Sequence, residues 1–292
     1  MKISVVVTAY NVGEWIGQCL ASILASSHKD LEVVVVEDCP TDNTREVVSS
    51  FVSDKRVRVI ENKENLGAGM SRRIGIQNST GDYIITIDGD DYISEDYLEV
   101  LAKKAEETGA DIVGGGERCL TDESINEYTE KCYGNMELSG IELMKRTFGR
   151  AIVFLNTKIV NRRLYDKVTY CGRRFIEDTQ TIAELFYWAN KVIFVDHCGY
   201  TYRQRSSSLC HAADTFKNIL FRALCAKDLL VFFNDKEEEY RKLFGVALFM
   251  EWANKLIASQ SINREQIEKY QKDWNEFTDF YFDIVRQISG KK

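Results

Sequence analysis

Long apolar runs are missing from this 292-residue chain; LFGVALFM at 243–250 is far below the roughly 20 residues that a bilayer-spanning helix needs. The apolar run in the opening MKISVVVTAYN is cut by Thr8, Tyr10 and Asn11 before it could form the core of a secretion signal, so a soluble, cytoplasmic chain is expected. Basic excess is missing too. Lys and Arg number 38 against 45 Asp and Glu, a net charge of −7, which argues against nucleic acid as a partner because a phosphate backbone needs clustered cations. The cysteines (Cys19, Cys39, Cys119, Cys132, Cys171, Cys198, Cys210, Cys225) include no C-x-x-C pair, and His28, His197 and His211 show no ligand spacing. A zinc site is therefore not expected, and most cysteines read as reduced packing residues. The first strand is not followed by G-x-G-x-x-G, which argues against a dinucleotide-dependent oxidoreductase. Nor is there the glycine-rich, basic first loop of a nucleotidyltransferase, and internal repeats and low-complexity linkers are absent.

What is present is a 45% hydrophobic content, enough for a sizeable core, arranged in a strong alternation. ISVVVTAY precedes GEWIGQCLASILAS, whose Trp15, Ile16, Cys19, Leu20, Ile23 and Leu24 share one helical face. The pattern repeats through LEVVVVED, TDNTREVVSSFV, VRVIEN, a helix over about 68–78, DYIITID, SEDYLEVLAKKAEE and ADIVGGG. It predicts an α/β fold with a mostly parallel sheet covered on both faces. Residues 117–135 read as a loop or hairpin excursion, followed by a helix over about 140–148, the run AIVFLNTKIV, a helix over about 178–190 and a strand near VIFVD. Residues 1–212 are expected to form one domain, divided at 116/117 into two halves, with 213–292 a helical extension broken near FFND.

Parallel sheets bind ligands beyond the carboxyl ends of their strands. Here those ends carry Thr8, Tyr10 and Asn11, then Glu37 and Asp38, then ENKENLG, then Asp88, Asp90 and Asp91. A lone aspartate would read as a turn residue or helix cap. Three so close together repel one another, a cost that a divalent cation would remove. An EF-hand is excluded, because Tyr92 occupies the fifth position and the sixth lacks glycine. Mg²⁺ or Mn²⁺ held by one or two carboxylates and substrate phosphates fits better.

VVVTAYN, VVVVEDCPTDNT, NLGAGMSRRIG and TGDYIITIDGDDYI, in that order, resemble the family 2 glycosyltransferases over roughly residues 1–210. The resemblance implies the GT-A nucleotide-sugar-binding fold and inverting sugar transfer. It implies that Thr8, Tyr10 and Asp38 line the base pocket, with Asp38 accepting a hydrogen bond from the base, and that Arg72 sits near the base or phosphates. Asp88 and Asp90 match the DxD acids, Asp90 as direct metal ligand and Asp88 near ribose and metal. Asp178, in FIED, matches the catalytic base. Departures are Glu37, Cys39 and Pro40 in place of Asp, Gly and Ser, and Arg73 in place of a common Asn.

Local pattern leaves alternatives open. Glu177 and Asp178 would equally suit a helix N-terminus, Arg72 and Arg73 a solvated face, and Tyr200, Tyr202 and Arg203 either an edge strand or the base of a loop over the donor. The expected donor is a nucleotide sugar, UDP-linked by the Asp38 position. The expected acceptor is a saccharide or lipid-linked saccharide, in bacterial surface polysaccharide synthesis, with at most peripheral membrane contact. A non-catalytic nucleotide-sugar-binding module is the alternative. Basic and acidic residues of the tail are balanced, so its helices are expected to pack on the catalytic domain rather than on anionic lipid.

Overall fold

A computed structural model describes residues 1–122, 127–147, 155–169, 177–204, 216–242, 247–259 and 262–289. The chain forms two compact units, one of 1–174 with 181–205, the other of 175–180 with 206–292.

The first unit opens with β1 (Ile3–Ala9), α1 (Ile16–Ala25), β2 (Leu31–Glu37), α2 (Thr44–Ser49), β3 (Val57–Glu61), α3 (Ala68–Asn78) and β4 (Tyr83–Asp88). β5 (Tyr92–Ile93), α4 (Tyr97–Thr108), β6 (Ile112–Gly114), β7 (Glu117–Asp122), β8 (Glu127–Lys131), β9 (Met136–Leu138) and α5 (Gly140–Thr147) follow. β10 (Lys158–Asn161) runs into a 3-10 turn, and α6 (Glu177–Trp188), which belongs to this unit from Thr181 onward, β11 (Val192–Phe194) and β12 (Tyr200–Arg203) complete the series. The central sheet has the order β3-β2-β1-β4-β10-β6-β11-β9. β1, β2, β3 and β4 pair in parallel, as do β6 and β11, whereas β10 and β9 run antiparallel to their neighbours.

The near-continuous Val and Ile of β1, β2 and β4 follow from burial on both faces. Val5, Val7, Val33, Val35, Ile85 and Ile87 pack with Ile16, Leu20 and Ile23 of α1 and Leu98 and Leu101 of α4. α3 packs against β1 and β2. In the polar stretch after the three glycines, read from sequence as a loop or hairpin excursion, β7 and β8 form a hairpin in a second sheet of order β5-β12-β7-β8. β5 and β12, antiparallel partners, tie this small sheet to the turn that follows β4.

Four of the described cysteines are free and two are paired. Cys132 and Cys198, 66 residues apart in sequence, are joined by a disulfide with Cα atoms 6.0 Å apart. Spacing along the chain could not show the pair, because sheet topology brings the end of β8 beside the loop before β12. Cys19, Cys119 and Cys225 are free and buried, as packing residues would be.

The second unit contains α7 (Phe216–Phe232), α8 (Glu238–Tyr240), α9 (Ala247–Ala258), α10 (Arg264–Lys269) and α11 (Gln271–Ser289). Phe216, Leu220, Leu224, Phe249, Leu256 and Phe277 form its core. Among the described residues no helix is long and apolar enough to cross a membrane.

Candidate active site

The parallel register Thr8↔Val36 and Thr8↔Asp88 brings the carboxyl ends of β1, β2 and β4 level, so the polar residues that follow each strand share one edge. Tyr10, just past β1, is 46% exposed, a large aromatic face left in solvent. Asn11 and Cys39 both adopt left-handed backbone, with φ of 50° and 60°. Asn tolerates this conformation, whereas Cys39 stands where the family resemblance calls for glycine, and the backbone has kept the glycine-like geometry.

Asp38 is 2% exposed and serves as an anchor. Its Oδ1 accepts from Asn62 Nδ2 and Leu66 N, both at 2.8 Å, and its Oδ2 accepts from Gly67 N at 2.8 Å. Gly67 takes a φ of 88°, a left-handed turn that starts α3 where a side chain would be strained. The Asn62 amide also donates to Ser71 Oγ at 3.0 Å, so the β2 end holds the first turn of α3 and fixes its direction. Glu37, another family departure, is buried beside Arg45 at 3.4 Å; burial and Glu61 lift its carboxyl above the usual range despite that cation.

One residue beyond Ser71, Arg72 is 7% exposed and its NH2 group donates to Asp88 Oδ1 at 2.8 Å. Thr8 Oγ1 donates to the same oxygen at 3.1 Å, and Asn156 Nδ2 donates to Oδ2 at 2.9 Å. Burial pushes the Asp88 carboxyl up, but the Arg72 charge and these hydrogen bonds outweigh it and leave the group below its ordinary value. Arg72, Thr8 and Asp88 are thus brought together.

Gly89 permits the next turn. A Cβ there would lie 2.8 Å from the Thr8 carbonyl oxygen and 2.7 Å from Ile16 Cδ1, so glycine lets the acidic turn close over β1. Asp90 follows, half-buried, with its carbonyl accepting from Arg203 Nε at 2.9 Å. Asp91 is 1% exposed and turns to β12, accepting from the Tyr200 hydroxyl and from Arg203 N. Burial, with the nearby Asp90 and Asp88 charges, raises its carboxyl well above the ordinary range. Arg203 also donates to Gln18 Oε1 at 2.6 Å and lies over the Tyr92 ring.

The three acids are therefore not equivalent. Asp88 is balanced by Arg72 and Asp91 is held by β12, so much of the crowding expected from sequence is relieved by protein partners. Asp90, half-buried beside Asp88 at the tip of the turn, is the kind of carboxylate that suits a hard cation with oxygen ligands. Asp178 lies in the first turn of α6, and its side chain, like that of Glu177, falls outside the described residues. Sequence reasoning missed Asn156, Asn62 and Gln18. Asn62 had a signal, its place at the end of the third strand; Asn156 and Gln18 had none.

The Glycosyl transferase family 2 profile matches residues 4–169. The chain is 31% identical over 217 residues to the glycosyltransferase GlyG of Streptococcus pneumoniae, covering 71% of this chain and 72% of GlyG. It is 26% identical over 259 residues to the cholesterol galactosyltransferase of Borreliella burgdorferi, covering 83% of this chain and 72% of that protein. Among solved structures, S. aureus TarS 1–349 in complex with UDP-GlcNAc superposes with a TM-score of 0.70 at 21% identity, covering 95% of this chain and 80% of TarS 1–349. The fold is of the GT-A type seen there, and the chain is a glycosyltransferase belonging to glycosyltransferase family 2.

Proposed function

We propose that this glycosyltransferase moves a sugar from a UDP-sugar to an acceptor hydroxyl with inversion, assisted by Mn²⁺ or Mg²⁺. One observation carries the proposal: an exposed Tyr10 face, the Arg72–Asp88 pair and Asp90 share one sheet edge, so stacking, cationic and metal-binding groups converge. The fold's likeness to a UDP-GlcNAc complex favours a uridine nucleotide. In this reading Tyr10 and Thr8 border the base, Arg72 lies toward the base or phosphates, and Asp88 lies toward the ribose. Asp38 contributes by holding the 62–67 loop and, through the lone pair its three donors leave on Oδ2, by accepting from the base.

Asp90, with Asp88 beside it, would hold the cation, which when bound neutralises charge on the departing diphosphate, worth several kcal/mol in such sites. Asp178 takes the proton from the attacking hydroxyl, a general-base role supported by the motif position. The acceptor is a saccharide or lipid-linked saccharide in cell-surface polysaccharide synthesis. Similarity to a sterol galactosyltransferase makes a lipid acceptor worth including in any screen.

The test is a thermal-shift panel of UDP-, GDP-, CDP- and dTDP-sugars with and without Mn²⁺, followed by nucleoside diphosphate release. A ligand at 100 times its Kd stabilises by about 2.7 kcal/mol. A shift with UDP-sugars and Mn²⁺, UDP release with acceptor, and loss of both in Asp90→Ala are expected. Binding without any UDP release would favour a non-catalytic module, and full activity after EDTA dialysis would refute the metal assignment.

A further inference from the structure

We propose that Asn156 and Tyr200 are positioning residues that decide which acid oxygen faces the donor, an inference resting on the reading of Asp88 and Asp90 as donor-facing acids. A carboxylate has about four lone-pair sites. Asp88 Oδ1 spends two on Thr8 and Arg72, and Oδ2 spends one on Asn156. Among the described residues these are its donors, so its remaining lone pair lies on Oδ2. Asn156 is the described group that orients that oxygen.

The Asn156 amide is itself oriented. Its Nδ2 also donates to the Tyr200 hydroxyl at 3.2 Å, while the single proton of that hydroxyl goes to Asp91 Oδ2. Asp88, held as a carboxylate, can only accept, so the amide must present NH₂ rather than oxygen to it, and the second hydrogen of the same nitrogen reaches the Tyr200 hydroxyl oxygen. The direction of donation runs from Asn156 to Asp88 on one side, and from Asn156 through Tyr200 to Asp91 on the other. The same arrangement removes Asp91 from the ligand-facing set, since its other oxygen accepts from Arg203 N at 2.9 Å.

Topology explains how a residue so remote in sequence reaches the site. β10 is the antiparallel strand inserted beside β4, with Val160 opposite Ile84 and Asn161 opposite Tyr83. Continuing that register brings position 156 level with position 88 at the carboxyl edge of β4. An antiparallel insertion thus delivers the residue preceding its own strand to the edge where parallel strands end. Asn156 and Tyr200 are both buried, which shields the network from water.

The experiment uses the full chain and a double-mutant cycle of Asn156→Asp and Tyr200→Phe, read as UDP affinity in Mn²⁺ by calorimetry and as melting temperature without ligand. Loss of an outer-layer partner typically costs about 10- to 100-fold in metal affinity or activity. Asn156→Asp, which replaces a donor by an acceptor against Asp88, should weaken UDP–Mn²⁺ binding within that range. Tyr200→Phe should weaken it by a smaller factor, and the double variant should lose less than the product of the two, since Tyr200 acts through Asn156. Should Asn156→Asp not fold, Asn156→Ala takes its place in the same cycle. Affinities within twofold of the wild type, or losses that multiply, would overturn the proposal. A wild type that binds no uridine nucleotide would instead sink the functional reading, and that outcome is visible before any variant is compared.

Discussion

Replacing Asp38 by Asn tests whether this carboxylate anchors the site or only meets a ligand. Its two oxygens accept from Asn62 Nδ2, Leu66 N and Gly67 N, each at 2.8 Å, and the residue is 2% exposed. Asn keeps a single acceptor oxygen. If that oxygen stays with Asn62 and Leu66, the new NH₂ faces the Gly67 N–H, donor against donor. A hydrogen bond to a charged group contributes about 1.5–3 kcal/mol, and a buried donor left unsatisfied costs about 1–3 kcal/mol. The two figures overlap, so a net loss of about 2–4 kcal/mol is expected, a large part of the 5–15 kcal/mol that roughly bounds whole-domain stability. Urea unfolding should show a midpoint lower by roughly 1 M or more at unchanged slope. Amide hydrogen exchange at Leu66 and Gly67 should lose protection before the rest of β2. If Asp38→Asn unfolds within about 0.5 kcal/mol of the wild type with Gly67 still protected, the anchoring argument is wrong and Asp38 acts on ligand alone.

Three further outcomes are expected. Lys158 is 1% exposed on β10, and burial pushes its ammonium down to about 7 although Glu117 opposes this. Against an unfolded value of about 10.4, the unfolded chain binds more protons between those limits, so this residue's contribution makes stability rise with pH across that window. Lys158→Met should therefore gain most over the wild type below pH 7, on the order of 4 kcal/mol, and the gain should shrink toward pH 10; a pH-independent difference would refute it. Cys39→Gly should stabilise by roughly 0.5–1 kcal/mol, because relief of left-handed backbone strain exceeds the added glycine entropy; destabilisation measured by urea unfolding would refute it. Asp178→Asn should lower turnover by roughly 10²- to 10⁴-fold at little change in UDP affinity, whereas equal, mild losses in it and Glu177→Gln would place the base elsewhere.

The first half of the fold was legible because local pattern and tertiary role agree there: Val-rich runs become buried parallel strands, and GEWIGQCLASILAS becomes α1 with Ile16, Cys19, Leu20 and Ile23 inward. β10 and β9 were not legible as antiparallel, since an apolar strand reads the same in either direction. The small sheet was visible only as an interruption, because β5 has two residues and β7 and β8 are polar. In the site, the acids and Arg72 announced themselves as charged residues at strand ends or in a motif. Asn156 did not, because a neutral amide carries no such signature, and its importance comes from a register that only the folded sheet supplies. The Cys132–Cys198 pair was hidden for the same reason.

Metal removal should leave the ligand-free protein's acidic turn in place. Sequence alone suggests that a cation is needed to hold Asp88, Asp90 and Asp91 together, which would make the turn unstable without one. Protein partners account for two of those acids: Arg72, Thr8 and Asn156 hold Asp88, and Asp91, its carboxyl raised by burial and its acidic neighbours, is held by Tyr200 and Arg203 N. Gly89 N also donates to the Thr8 carbonyl at 3.1 Å and Asp91 N to the Asp88 carbonyl at 2.9 Å, so the backbone of the turn is paired as well. A turn so supported does not depend on metal for its shape. EDTA should therefore shift the melting temperature of the ligand-free protein by no more than about 2 °C, less than 1 kcal/mol at this size, while abolishing the added stabilisation by UDP. A fall of several degrees in the ligand-free protein, reversed by Mn²⁺, would show that the cation is structural and that the charge balance argued for Arg72 and Tyr200 is incomplete.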